Sequence, residues 1–299
     1  MIFMNNKYKG YLAVIVSGTT FGCMPLLAKN IFASGGNAIN LVFWRFFIPL
    51  PLLYLIMKNN KNISTKITKE ELKKIILVGS IGYAGTAILL FMSYNYISSG
   101  MATTLHFVYP IFVILASIII YKEKANPIKI FSVALCTIGI FLLYNGDSKG
   151  DILGIGLAFL SGITYSFYVM YLDKSGLKDM DSIKLTFYLC LIASFVMFAF
   201  SIGTGSFTVS ITPLGWLLTI VLAIAVALGA VNLLNLGIKI IGPQSASILS
   251  TFEPITSVVI GVLVFKEKLD LKILIGCMLI LLSVIIITAS DKEHQKSIS

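Results

Sequence analysis

The chain has 299 residues, of which 57% are hydrophobic and only 12% charged, whereas an ordinary soluble domain is about 25% charged and 45–50% apolar. Its mean hydropathy is +0.94, and apolar runs of about 20 residues recur, the length that crosses a hydrocarbon core of about 30 Å; a water-soluble fold is excluded, and secreted, disordered and nucleic-acid-binding classes with it. The net charge of +10 comes from lysines spread over the short loops between these runs, so it reads as a topology signal beside the bilayer rather than as a polyanion site.

In chain order, Lys7 and Lys9 precede the first apolar run. A signal peptide would begin in the same way, but this run is too long and ends at Lys29 without a small-residue cleavage site, so it is read as a retained first span. The hydropathy pattern predicts spans near residues 11–33, 38–57, 72–95, 99–121, 127–144, 152–173, 183–202, 213–238, 243–265 and 271–289. With a cytoplasmic N-terminus, Lys7, Lys9, the six lysines from Lys58 to Lys74, Lys122, Lys124, Lys129, Lys174, Lys178, Lys184, Lys239, Lys292 and Lys296 fall inside. Lys29, Lys149, Lys266, Lys268 and Lys272 fall outside, and this excess predicts that both termini are cytoplasmic. Cys23, Cys136, Cys190 and Cys277 lie within apolar runs without CxxC or Cys/His spacing, and read as reduced helix residues.

The chain contains one unit twice. Pairing each residue with the one 144 positions later matches Gly10, Ser17, Gly18 and Thr20 with Gly154, Ser161, Gly162 and Thr164, and Gly85, Leu89 and Leu90 with Gly229, Leu233 and Leu234. It also matches Ala102, Leu105, Pro110, Ile111, Lys122, Glu123 and Lys124 with Ala246, Leu249, Pro254, Ile255, Lys266, Glu267 and Lys268. The expectation is an all-α membrane protein of ten transmembrane helices in two five-helix repeats, residues 10–145 and 154–290. An odd number of spans per copy inverts the second copy in the membrane, which puts the second Lys-Glu-Lys outside and explains the excess of lysines there. Inverted repeats are a recurring plan of secondary transporters.

These residues resemble the drug/metabolite transporter superfamily, specifically its ten-helix EamA type with two EamA repeats. The resemblance runs from Gly10 to about Ala289. It rests on Thr20-Phe21-Gly22-Cys23-Met24-Pro25 with Lys29 following, on Arg45-Phe46, on the run from Tyr109-Pro110 to Lys122-Glu123-Lys124, and on its partner from Glu253-Pro254-Ile255 to Lys266-Glu267-Lys268. It implies a metabolite or amino-acid carrier, often an exporter, with a central cavity formed mainly by the first, third, fourth, sixth, eighth and ninth spans. The fifth and tenth spans would be peripheral. The family's common Trp-Gly stands here as Phe21-Gly22 and as Tyr165-Ser166, which keeps an aromatic ring and loses the indole donor.

Two side chains that are charged when solvated lie deep within spans, Arg45 and Glu253, and intramembrane ionisable groups usually face a bundle interior or a wet cavity. Glu253 sits near the middle of the ninth span, close to the bilayer midplane. It reads as a ligand for a cation or ammonium group or as a proton acceptor, the alternative being a structural carboxylate satisfied by neighbours. Pro254 is expected to free the carbonyl of Ser250, and Pro110 that of His106. Ser250 with Glu253, and His106 with Tyr109, are three apart and are predicted to share helix faces around these discontinuities. Arg45 is the one arginine beside 22 lysines; its planar fork suits a substrate carboxylate or a partner such as Glu253, the alternative being a structural pair. Asn232 and Asn235 could orient a zwitterion or glue helices. Thr20, Phe21, Tyr83, Tyr165 and Tyr168 could form an aromatic wall, or simply pack.

No Walker loop, HExxH, GxSxG or cysteine-ligand motif occurs, so no cofactor and no enzyme activity are expected. The expected function is secondary active transport of a small metabolite, an amino acid first, by alternating access across a bacterial cytoplasmic membrane. Export is the favoured direction, driven by the substrate gradient or by proton exchange. The alternatives are an organic-cation or multidrug carrier of the same fold, in which Glu253 and the tyrosines dominate, and, more remotely, a membrane-embedded enzyme or sensor scaffold.

Overall fold

Apolar sequence punctuated by proline folds here into helices that cross and then break. The computed structural model of the protein describes residues 2–97, 99–142, 151–265 and 270–296. Its first part runs α1 (Ile2–Gly22), α2 (Met24–Ala33), α3 (Ala38–Phe47), α4 (Leu50–Asn59), α5 (Lys69–Leu77), α6 (Gly85–Ser93), α7 (Ser99–His106), α8 (Tyr109–Ile119) and α9 (Pro127–Leu142). The second part runs α10 (Ile152–Lys174), α11 (Ser182–Gly203), α12 (Pro213–Ile224), α13 (Asn232–Leu249), α14 (Phe252–Phe265) and α15 (Leu271–Lys296). No strand occurs among the described residues. Seven segments are long and apolar enough to cross a membrane: Lys7–Ala33, Ala38–Asn59, Lys69–Ser93, Met101–Ile119, Ile152–Lys174, Ser182–Gly203 and Pro213–Leu249. Three shorter apolar helices, Pro127–Leu142, Phe252–Val264 and Leu271–Ile287, accompany them. Lys149 and the second Lys-Glu-Lys, Lys266 to Lys268, lie outside the described residues, as do the side chains of Pro25 and Lys29.

Proline has no N–H to donate and its ring crowds the carbonyl four residues back, so it is tolerated in the first turn of a helix and interrupts one that runs into it. Pro25, Pro51 and Pro110 each stand in the first turn of the helix that restarts the segment, α2, α4 and α8. Pro254 does the same in α14, after a two-residue interruption at Ser250 and Thr251. Gly242, with φ 77° and ψ 166°, turns a corner inside α13 just before Pro243. Only glycine takes that backbone conformation readily, and here it divides the expected eighth span from the ninth.

The third and eighth segments each carry a π-helical turn, Val78–Ala84 between α5 and α6 and Ala225–Val231 between α12 and α13. Single π turns inside α-helices concentrate at functional sites. Nothing beyond a few glycines signalled them in the sequence. The second turn is secured from the other copy, where the buried Ser17 hydroxyl donates to the Ala230 carbonyl at 2.8 Å.

Two reciprocal straps show how the copies are disposed. Near the start of α3, Asn40 Nδ2 donates to the Thr208 carbonyl at 2.9 Å, Asn40 Oδ1 accepts from the Thr208 N–H at 3.1 Å, and Trp44 Nε1 donates to the same carbonyl at 3.4 Å. Near the start of α11, the equivalent residues Lys184 and Tyr188 donate to the carbonyls of Lys66 at 2.6 Å and Thr65 at 2.8 Å. Thr208 follows α11, and Lys66 follows α4. Helices α3 and α11 pack against each other, and the start of each lies beside the end of the other's segment. Equivalent helices therefore run antiparallel. The same exchange pairs α1 with α13 and α14, and α10 with α6, α7 and α8.

Close approach of α1 to α14 depends on glycine. A Cβ on Gly22 would lie 2.6 Å from the Glu253 carbonyl oxygen and 2.5 Å from Thr256 Cβ, so Gly22→Leu is expected to lower stability by about 1–3 kcal/mol or more, read as a fall in the thermal midpoint of detergent-solubilised protein. Gly203→Ala, whose Cβ would meet nothing within 4 Å, should leave that midpoint nearly unchanged.

Candidate substrate site

Asn37 caps α3, its side chain accepting the Asn40 N–H at 2.8 Å. That fixed start sends Arg45, two turns on, into the bundle, where it is 8% exposed. Its Nη1 donates to Met24 Sδ at 3.4 Å, its Cζ lies 4.7 Å from the centre of the Phe46 ring, and its buried Nε has no hydrogen-bond partner among the described residues. A thioether and a ring face are weak partners for a guanidinium withdrawn from water. Glu253, in the first turn of α14, is half-buried, where the helix dipole favours a carboxylate. Its side chain makes no hydrogen bond or ion pair with a described residue, yet it lies within electrostatic reach of Arg45 and Tyr165. Arg45 and Glu253 thus stand near each other, a buried cation and an anion, without being joined.

Aromatic rings run between the two helix breaks. His106 lies 5.7 Å from Tyr109 and 5.2 Å from Tyr165 between ring centres; Tyr165 stacks on Tyr168 at 5.5 Å, Tyr168 on Tyr83 at 5.5 Å, and Tyr83 meets Phe46 at 4.8 Å. Hydrogen bonds hold the column. The Tyr168 hydroxyl donates to Asn235 Oδ1 at 2.6 Å, and Asn235 Nδ2 donates to Thr186 Oγ1 at 3.3 Å. His106 Nδ1 lies 3.0 Å from Ser161 Oγ, whose own proton goes to the Ala158 carbonyl at 2.5 Å, so Nδ1 is the donor. Across the break, the Tyr109 hydroxyl bonds to that of Ser250 and donates to the Ser247 carbonyl at 3.2 Å. Among these groups Tyr165 is half-buried, while Tyr109, Tyr168 and Tyr83 are buried.

The structure therefore brings Arg45, Glu253, His106, Tyr109, Ser250, Tyr83, Tyr165, Tyr168 and Asn235 into one neighbourhood. Asn232 is a turn away, its buried Oδ1 without a partner among the described residues. Thr20 is not brought in. Its hydroxyl donates to the Val16 carbonyl of its own helix at 2.8 Å, and it faces Gly229 and a cleft toward α12. Phe21 packs against the core without a ring contact among the described residues. Two local expectations are corrected. The Ser250 carbonyl is not free, because the helix restarts early enough for the Glu253 N–H to donate to it at 3.0 Å. Ser250 and Glu253, like His106 and Tyr109, do not share a continuous helix face, because the helix is interrupted between them.

Sequence reading missed Met24 as the partner of Arg45, Thr186 and Ser161 as anchors of the column, and a contact between the copies at the lysine-rich end. There Glu123 accepts from Lys174 Nζ and from Gln244 Nε2, the latter at 2.8 Å. Among the described residues no group of three His, Cys, Asp or Glu side chains could hold a metal ion, and the four cysteines are free thiols.

A family model described as the EamA-like transporter family matches residues 8–145 and again 152–289. The chain belongs to the EamA-like transporter family. Relatives agree in kind: an uncharacterized transporter of Clostridium kluyveri is 23% identical over 95% of this chain and 94% of its own length. Another, from Synechocystis, is 28% identical over 66% of this chain and 61% of its own length. The UDP-galactose/UDP-glucose transporter 7 of Arabidopsis thaliana is 27% identical over 48% of this chain and 44% of its own length. One solved crystal structure aligns with a TM-score of 0.78 at 14% identity, covering 95% of this chain and 98% of that one, a likeness that shows the fold alone. The protein is a multi-pass membrane transporter, and a transporter of this family takes a small-molecule substrate.

The anchoring of the aromatic column can be checked in this transporter. Tyr168→Phe keeps the rings and strands the Asn235 acceptor, which is expected to cost about 1–3 kcal/mol, measured as a lower thermal midpoint in detergent. Tyr165→Phe, which removes a hydroxyl with no hydrogen bond to a described residue, should lower the midpoint much less.

Proposed function

We propose that this transporter moves a neutral amino acid across a bacterial cytoplasmic membrane by alternating access, with both termini cytoplasmic and export favoured. Arg45 receives the substrate carboxylate, Glu253 its ammonium group, and the half-buried Tyr165 flanks the side chain, with Asn232 supplying a further acceptor. The observation that carries this reading is that, among the described residues, the buried Arg45 has an unpartnered Nε and no carboxylate in ion-pairing distance, while Glu253, itself without an ion pair there, stands within its electrostatic reach. An unpaired buried charge costs several kcal/mol. A zwitterion laid between the two groups supplies both missing partners at once, and a bidentate carboxylate is the best geometric match to a guanidinium.

Charge balance separates this reading from its neighbours. The sequence puts no second lysine or arginine in the middle of a span, so a diphosphate would find one cation for two or more negative charges. An organic cation would answer Glu253 and meet Arg45 as a repulsive neighbour. Alternating access also needs contacts between the copies that close one mouth and can open. Glu123 with Lys174 and Gln244 is such a contact, and the antiparallel copies provide the same hinge positions on either side. Proton exchange at Glu253 would couple transport to the proton gradient.

Counterflow of labelled L-alanine, L-leucine and L-phenylalanine in proteoliposomes tests the site. Arg45→Lys and Glu253→Gln, with melting behaviour unchanged, are each expected to lower flux at limiting substrate by roughly 30-fold or more, the worth of about 2 kcal/mol of buried charge pairing. Flux unaffected by both changes, or saturable transport of quaternary amines with none of amino acids, would sink the proposal.

Topology is tested separately. With the native cysteines replaced, an impermeant thiol reagent on intact cells should label Ser210→Cys and spare Lys61→Cys; the reverse pattern would turn the molecule over.

A further inference from the structure

Met24 accepts a hydrogen bond from Arg45, and we propose that it is a displaceable placeholder that sets how readily the guanidinium accepts a substrate carboxylate. The inference rests on the reading of Arg45 as the carboxylate contact. Met24 is the first residue of α2, immediately after the break at Cys23. Its sulfur accepts the Arg45 Nη1 hydrogen bond at 3.4 Å, and Met24 also lines a cleft of about 350 Å³ between α1, α2 and α12, together with Thr20, Cys23, Leu27, Leu222 and Val226 among others.

Three features make this contact one that yields. A thioether is a weak acceptor, so a carboxylate offered to the same N–H groups outcompetes it. Methionine is unbranched and turns about three bonds, so it can leave without disturbing its backbone. The cleft gives it an apolar destination, because the Thr19 and Thr20 hydroxyls that border it donate to the Ile15 carbonyl at 2.9 Å and the Val16 carbonyl at 2.8 Å, leaving no hydroxyl proton to hold the sulfur or demand a partner. The repeat supports the contrast. The equivalent of Met24 is Tyr168, whose ring is stacked on both sides and whose hydroxyl is tied to Asn235, and the equivalent of Arg45 is Leu189. Where there is no cation the position is locked, and where there is one the occupant is flexible.

The test is a pair of substitutions with opposite expected signs, assayed by counterflow of the same three amino acids. Met24→Leu keeps the bulk and removes the acceptor, and is expected to lower KM about threefold, with maximal flux kept. Met24→Gln supplies a stronger acceptor that holds Arg45, and is expected to raise KM about threefold to tenfold, the range of one hydrogen bond gained or lost. A merely structural role would move both variants in the same direction, or lower maximal flux without changing KM. Either result overturns the placeholder while leaving Arg45 as the carboxylate contact, provided Arg45→Lys raises KM. An unchanged KM in Arg45→Lys, or no saturable flux of any of the three by the unmodified protein, overturns the underlying reading and this inference together.

Discussion

Inside a bilayer a backbone carbonyl has no water to turn to, and that constraint governs where this chain can interrupt a helix. The interruptions before Pro110 and Pro254 fall within one residue of equivalent positions in the two copies, and both are buried, at Phe107 and Val108 in one and at Ser250 and Thr251 in the other. Their backbone groups are repartnered locally: the Val108 and Thr251 N–H groups reach back three residues, to Leu105 at 3.4 Å and Ile248 at 3.2 Å. Each break is also covered by a glycine of the opposite copy. A Cβ on Gly162 would lie 2.9 Å from the His106 carbonyl oxygen, and one on its equivalent Gly18 would lie 3.1 Å from that of Ser250. Each copy thus closes the weak point of the other, and neither broken helix is buried by its own half alone.

That reciprocity explains why the two halves behave as scaffold and site at once. Shared features sit at equivalent positions: the breaks, the covering glycines, the straps at Asn40 and Lys184, and the π turns displaced by only a few residues. Features that could recognise a solute sit where the copies differ. Glu253 stands opposite Tyr109, Ser250 opposite His106, Arg45 opposite Leu189 and Asn235 opposite Phe91. Symmetry supplies the places that bend, and divergence supplies different polar groups at each bend, a carboxylate at one and an imidazole and a phenol at the other.

The same division marks what could be read from the sequence. Hydropathy placed the apolar segments, proline placed the breaks before Pro110 and Pro254, and the offset of 144 residues revealed the two copies, because each of these is written in residue type and spacing. Facing is not. A helix that is apolar all round has no polar face to orient it, so Thr20 read as a wall residue although it turns toward α12, and Met24 passed as a motif residue although it touches the only arginine. Hydrogen bonds between distant helices, Tyr168 to Asn235 within the second copy and Glu123 to Lys174 between the copies, join residues 67 and 51 positions apart, and no local pattern announces them. The restarted helix that engages the Ser250 carbonyl depends on the geometry of a turn rather than on the presence of proline.

The choice of arginine at position 45 follows from the partners available there. An ammonium is a strongly hydrated point charge, whereas a guanidinium is more weakly hydrated and can rest against a ring face. The Phe46 ring at 4.7 Å and the Met24 sulfur at 3.4 Å are contacts that suit the second and serve the first poorly. An arginine also keeps its proton in any protein environment, so the positive charge of the proposed site is constant through a transport cycle. Glu253 is then the one member of the pair whose charge can change. In the proposed site the protonation of that carboxylate, at the start of α14, decides the net charge offered to the cargo.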